Sequence, residues 1–221
     1  MATWLSLTND LQERLREDET AAVSTNTYSA LLSQFVNQAK REIEDAHDWS
    51  SLKTVLTVTT SASTATYTIT GSNERSRVYT KNKVIYDSTN KSKLIPITAE
   101  YLHTNTYLVN SVQEAPPQYY IMSGISSGEL QITFYPTPAG TYTIKLPMVV
   151  PQADFTTGST TLTVPAWPVF LRAYALALAE RGEDGGTTTG EAGTQAWLAL
   201  NQAITTDTGN STDADIIWEV A

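Results

Sequence analysis

Residues 27–49, TYSALLSQFVNQAKREIEDAHDW, constrain this chain more than any other stretch. Tyr28, Leu31, Leu32, Phe35, Val36, Ala39, Ile43 and Ala46 recur at steps of three and four, which makes one broad apolar face of an amphipathic helix. A helix of this length spans about 30 Å, enough to act as the spine of a domain. Asn26 or Thr27 is placed to cap its start by accepting from free backbone N–H groups. The opposite side carries Ser33, Asn37, Lys40, Arg41, Glu44 and Asp45, a face suited to water or to a polar contact. The pattern breaks at Trp49, Ser50 and Ser51, and from Lys53 onward the sequence reads as strand.

Ahead of the spine, residues 3–17 predict a shorter helix with Trp4, Leu7, Leu11 and Leu15 on one side, forming a helical hairpin with it. After it, Val, Thr and Tyr alternate in short runs, at 53–59, 67–69, 77–80, 83–86, 93–97, 118–123, 129–135 and 141–148. Turn residues separate these runs, as in Gly71-Ser72-Asn73 and Ser126-Ser127-Gly128. This spacing predicts an antiparallel sandwich or half-open barrel rather than βαβ units. Residues 98–108 read either as a short helix or as an irregular segment. Pro168 suits the first turn of a helix that runs through Arg181 and stops at Gly182, and a last helix is expected over 191–205 using Ala192, Ala196, Trp197, Leu200 and Ile204. The predicted class is α+β: a helical bundle from 1–52 and 166–205, an inserted antiparallel β-sandwich or barrel lobe over 53–165, and a flexible tail over 206–221.

A chain of 221 residues can bury a proper core. A net charge of −9 argues against a protein that coats nucleic acid, while an acidic wall would still let DNA pass without sticking. The chain has no cysteine, so it offers neither disulfides nor thiolate chemistry. Its start lacks the basic and apolar blocks of a secretory signal, and no apolar run reaches the roughly 20 residues that span a bilayer. A soluble protein made in the cytoplasm is expected.

Catalytic and metal-binding patterns dissolve on inspection. Gly124-Ile125-Ser126-Ser127-Gly128 matches the nucleophile elbow of hydrolases, but a strand follows it and no histidine comes after Ser126. His47 and His103 are not spaced as ligands, and His47 suits the end of the spine helix. Glu44, Asp45 and Asp48 read as a solvated or intersubunit helix face. Asp207, Asn210, Asp213 and Asp215 lack the glycine and closing glutamate of a calcium loop. No cofactor and no metal is expected. Two charge blocks stand out: Arg75, Arg77, Lys81, Lys83, Lys91 and Lys93 in a basic hairpin, and an acidic excess from Glu180 onward. Opposed patches suit docking between copies or onto another protein. The apolar run Ile216, Ile217, Trp218 and Val220, set behind ten polar residues, reads as a docking segment on a leash.

Several of these passages resemble the head-to-tail adaptor, or connector, proteins of tailed bacteriophages, including the tail tubular protein A type. The family's helix pattern LxxxVNxAxREIxxxxDW, running into a first strand and then a Thr-rich xxYxIT strand, is matched by Leu32, Val36, Asn37, Ala39, Arg41, Glu42, Ile43, Asp48, Trp49, Tyr67 and Ile69. PPQYYIMSGISSGELQITFYPTP, and IKLPMVVPQ ahead of PAWPVFLRAYALALAERGED, are similar to its later strands and helix. Thr70-Gly71-Ser72-Asn73 stands where relatives often carry a longer decorated segment.

The resemblance implies a non-enzymatic ring, commonly of twelve copies, beneath the phage portal and above the tail nozzle or tail tube. DNA would pass through its channel without specific binding, and no membrane would be involved. The place would be the head–tail junction of the virion, with assembly in the host cytoplasm. On this reading Ile216, Ile217, Trp218 and Val220 dock the portal. Arg75, Arg77, Lys81, Lys83, Lys91, Lys93, Lys40, Arg41, Glu44 and Asp45 are candidates for a subunit or tail interface. The alternative is a β-sandwich binding module, for carbohydrate for example, with the helices as a stalk and Tyr79, Tyr86, Tyr101, Tyr107, Tyr119 and Tyr120 as candidate site residues.

Overall fold

Two capping boxes start the chain's first two helices. In the computed structural model, which describes residues 2–108, 113–182 and 190–210, Thr3 caps α1 (Trp4–Arg14) and Asn26 caps α2 (Thr27–Ala46). At α2 the Asn26 side chain accepts from the Ser29 N–H at 2.7 Å, and Ser29 Oγ accepts in return from the Asn26 N–H at 3.2 Å. Each box satisfies donors that a helix start leaves open. Leu7 and Leu11 of α1 and Leu32, Val36, Ala39 and Ile43 of α2 are buried, as the periodicity predicted. The spine ends at Ala46: His47 is extended, and a 3-10 turn over Ser50–Leu52 leads into the strands. Trp49 is buried in that corner, its indole N–H donating to the Ile43 carbonyl at 2.7 Å.

The chain divides into two compact units. The β unit, Lys53–Pro151, holds β1 (Lys53–Thr59), β2 (Thr66–Thr68), β3 (Arg77–Val78), β4 (Ile85–Asp87), β5 (Ser92–Pro96), α3 (Ala99–Tyr107), β6 (Glu114–Ala115), β7 (Tyr119–Ser126), β8 (Glu129–Tyr135), β9 (Thr137–Pro138) and β10 (Thr143–Val149). Eight of these strands form one mixed, nearly closed sheet in the order β1-β10-β4-β5-β7-β8-β2, with β3 also on β10; β6 and β9 pair apart from it. Residues 98–108, open in the sequence reading, are mostly helix.

The lobe departs from an antiparallel one in the short β6–β9 pair, which is parallel, and within the large sheet at that helix. The helix carries the chain across so that β7 lies parallel to β5, with Ile95 opposite Tyr119, a pairing that needs a crossover rather than a tight turn. The other pairings in the large sheet are antiparallel, the longest unbroken one matching Lys53 to Val149 through Thr59 to Thr143. Ile144, Leu146 and Met148 point inward at every second position of β10 and pack with Ile69, Ile85, Leu94, Ile132 and Phe134. The β7–β8 hairpin turns on Ser127 and Gly128, both at positive φ (53° and 83°), as the favoured two-residue hairpin turn requires.

The helical unit joins residues 1–52 to the described residues from Gln152 onward. Residues 152–165, which the sequence reading placed with the strands, run along this unit instead. They meet the start of α1: the N–H groups of Trp4 and Leu5 donate to the carbonyls of Thr160 (2.9 Å) and Gly158 (3.0 Å). A Cβ at Gly158 would stand 3.2 Å from Leu5 Cβ, so the small residue permits this approach. Then come α4 (Ala166–Arg181) and α5 (Glu191–Asn210). Buried Ala173, Ala175 and Ala177 on α4 and Ala192, Ala196 and Ala199 on α5 let helix backbones draw close. Gly182, at φ 71°, ends α4 in the left-handed conformation.

Candidate functional site

The polar edge of α2 is a clamp on the segment that follows Pro151. Lys40 Nζ donates to the carbonyls of Gln152 (2.8 Å) and Ala153 (2.7 Å), stands 4.7 Å from the centre of the Phe155 ring and lies 3.8 Å from Glu44 Oε1. Glu44 in turn accepts from the Gln152 N–H at 3.2 Å. One turn earlier, Asn37 pairs with both backbone groups of Phe155, donating to its carbonyl at 3.1 Å and accepting from its N–H at 2.9 Å. Arg41 bridges to Asp154 at the surface.

These contacts correct the expectation that this side of the helix meets water or a neighbour. Lys40 and Glu44 are buried within the unit, because the segment after Pro151 lies across them and supplies carbonyls and an N–H to their charges, and Ser33 is buried where its carbonyl accepts from the Trp4 indole N–H of α1. Arg41 and Asp45 remain exposed.

A second polar knot closes the C-terminal end of α2. Asp207 accepts from the Ser50 hydroxyl, from the Ser50 N–H at 3.1 Å, and pairs with His47 Nε2 at 3.1 Å. Burial pushes the Asp207 carboxyl up, but the hydrogen bonds from Ser50 and His47 outweigh it and hold the group below its ordinary value. Serine, histidine and aspartate meet here without forming a catalytic triad. Ser50 and His47 both bond to the carboxylate, so the aspartate stands between them, whereas a triad puts the histidine between serine and aspartate. The knot also corrects the flexible tail predicted from residue 206, since α5 continues through Asn210. Ile216, Ile217, Trp218 and Val220 lie outside the described residues, as do Asp213 and Asp215.

Among the described residues no group of three or more His, Cys, Asp or Glu side chains could hold a metal ion. Ser126 sits at the end of β7 opposite Glu129, on the hairpin expected of it. No helix of the described residues is long and apolar enough to cross a membrane.

The basic stretch is not one hairpin. Arg77 lies on β3 and pairs with Val149 of β10, whereas Lys93 lies on β5 opposite Tyr86 of β4. The short strand at 77–78 is captured by β10 before the chain reaches the β4–β5 turn. Lys83, Lys91 and Lys93 are exposed, while Arg75 and Arg77 are half-buried; the Lys81 side chain is outside the described set.

Surface aromatic groups are the feature that periodicity hid. On the helical unit Trp167 is 58% exposed, and Trp197 and Leu198 are each 62% exposed. Trp167 stacks on Phe170 at 5.7 Å, and the Arg14 guanidinium lies 4.7 Å from the centre of the Tyr174 ring. Open grooves border both indoles: about 630 Å³ by Arg14, Trp167 and Phe170, and about 370 Å³ by Glu42, Arg172 and Trp197. Trp197 was expected on the packed side of its helix. The row of Ala192, Ala196, Ala199 and Leu200 already fills that side, which leaves the indole pointing away. On the β unit Tyr101, Tyr119 and Tyr135 gather with ring centres 5.8 to 6.5 Å apart, whereas Tyr120 is buried.

The family model of the SU10 adaptor protein matches residues 2–216. The chain belongs to this family of phage adaptor proteins. The match covers both units and extends past α5. No curated protein matches the chain.

Proposed function

We propose that this adaptor is a non-enzymatic structural component of the virion that forms a ring of about twelve copies beneath the portal. The ring extends the DNA channel and gives the tail nozzle or tail tube a docking surface. The observation that carries this reading is the family match across residues 2–216, nearly the whole chain. The exposed Trp167, Trp197 and Leu198 support it, since apolar side chains of that size on an outer face mark protein contact. A net charge of −9 suits a channel wall that DNA passes without adhering. Residues Ile216, Ile217, Trp218 and Val220 reach the portal, and many weak copies of that contact add up by multivalency. Arg41 and Asp45, with Lys83, Lys91 and Lys93, remain surface candidates for subunit or tail contacts.

Light scattering of the purified protein, alone and mixed with the portal of its source phage, tests this reading. A defined complex of portal with about a dozen copies is expected. A monomer that ignores the portal overturns it. The tyrosine cluster Tyr101, Tyr119 and Tyr135 would then favour a binding module, to be probed with a glycan array.

A further inference from the structure

Beside the last turns of α5 runs an open groove of about 360 Å³ lined by Pro165, Trp167, Pro168, Ala199, Ala203 and Asp207 among others. Its wall is largely apolar, and Trp167 supplies a broad exposed face despite stacking on Phe170. Asp207 at its end is already engaged by Ser50 and His47. The described part of α5 reaches Asn210, and the sequence runs on through Ser211, Thr212, Asp213, Ala214 and Asp215 to the apolar run beginning at Ile216.

The lengths agree. Five residues span at most about 17 Å when extended. Ala199 stands about 16 Å back from Asn210 along the helix axis. A chain that reverses after Asn210 therefore lays Ile216 somewhere between Asp207 and Ala199, along the groove. The groove beside Trp197 begins farther back along α5, at Leu200. The groove by Arg14 has no wall from α5.

We propose that Ile216, Ile217 and Trp218 seat in this groove of their own chain in the free protein, with Trp218 against Trp167 and Pro168. A leash this short gives the chain's own groove a high effective concentration, which a second copy must exceed to compete. The proposal goes beyond the adaptor reading, because it says where the apolar run is held before a partner takes it.

The absence of native cysteine makes the test direct. In the double variant Ala203→Cys, Ile217→Cys, mild oxidation is expected to give a disulfide within one chain, at a yield independent of protein concentration. Dimers alone would place the run in a neighbour's groove and overturn the proposal. In a second measurement, the methyl resonances of Ala199 and Ala203 are compared between the unaltered chain and Trp218→Ala. Loss of the indole's ring current is expected to move them, and unmoved resonances overturn the proposal even if the disulfide forms. Neither experiment contains the portal, so failure of portal binding and failure of this contact are separate results.

Discussion

Lys40 and Ala153 meet in the interior of the helical unit, the ammonium donating to the backbone carbonyl at 2.7 Å with no solvent access to the lysine. A buried cation survives only if its charge is answered, and here two carbonyls, the Glu44 carboxylate and the face of Phe155 answer it. Lys40→Met strips these acceptors of their donor and takes the cation away from the buried Glu44 carboxylate. It should cost about 3–5 kcal/mol in urea unfolding. Glu44→Gln, which keeps an acceptor for the Gln152 N–H, should cost less. A loss below about 1 kcal/mol for Lys40→Met would show that the clamp does not hold the segment.

The Asp207 knot makes a pH prediction. Its carboxyl is held below its ordinary value in the folded chain, against burial, by Ser50 and His47. A depressed carboxylate stabilises fully above its unfolded value, about 3.9, and that contribution is lost as pH falls through the folded value. Asp207→Asn should therefore melt below the unaltered protein at pH 6, with the gap closing as pH drops under about 4. Hydrogen exchange over 201–210 should rise in the variant at neutral pH, since the last turns of α5 lose their anchor. A gap that persists unchanged to pH 2 would assign the effect to packing instead.

Much of this architecture is legible in the sequence, for reasons that differ by element. The spine helix shows itself because Leu32, Val36, Ala39 and Ile43 repeat at helical spacing and Asn26 caps them. The β10 strand shows itself through the alternation of Ile144, Leu146 and Met148. What stays hidden is pairing at a distance. Nothing local in Lys40 or Glu44 distinguishes a buried ion pair from a solvated one, because the groups that answer them lie at 152–155. The parallel match of Ile95 with Tyr119 is hidden likewise, since strand patterns carry no direction. Trp197 misleads because a large apolar residue at helical spacing imitates a core position when alanines do the packing.

Tyr120 offers an alkaline counterpart. Its hydroxyl donates to the Lys83 carbonyl, and burial pushes its pKa up to about 12. A phenol raised in this way is neutral in the fold, so its contribution is full below the ordinary value of 10.0 and is lost as pH rises through about 12. In an absorbance titration Tyr120 should be among the last tyrosines to ionise, and Tyr120→Phe should remove that late step. The same variant leaves the Lys83 carbonyl unpaired and should cost about 1–2 kcal/mol. A late step that survives in Tyr120→Phe would assign it to another tyrosine.

Trp197 and Leu198 separate assembly from stability. Each is 62% exposed, and the neighbouring Ala196 and Ala199 carry the packing of α5. Truncating a core tryptophan costs about 3–5 kcal/mol because a cavity is left behind. An exposed side chain leaves none, so Trp197→Ala should stay within about 0.5 kcal/mol of the unaltered chain in urea unfolding. If the indole is a contact between copies or with a partner, the same variant should lower the mass of the complex seen by light scattering with the portal. The combination of unchanged stability and weakened assembly is what an interface residue alone produces. A large stability loss would place Trp197 in the core of its own chain. Unchanged stability with unchanged assembly would move the contact to another face of the helical unit, with Trp167 the next side chain to truncate.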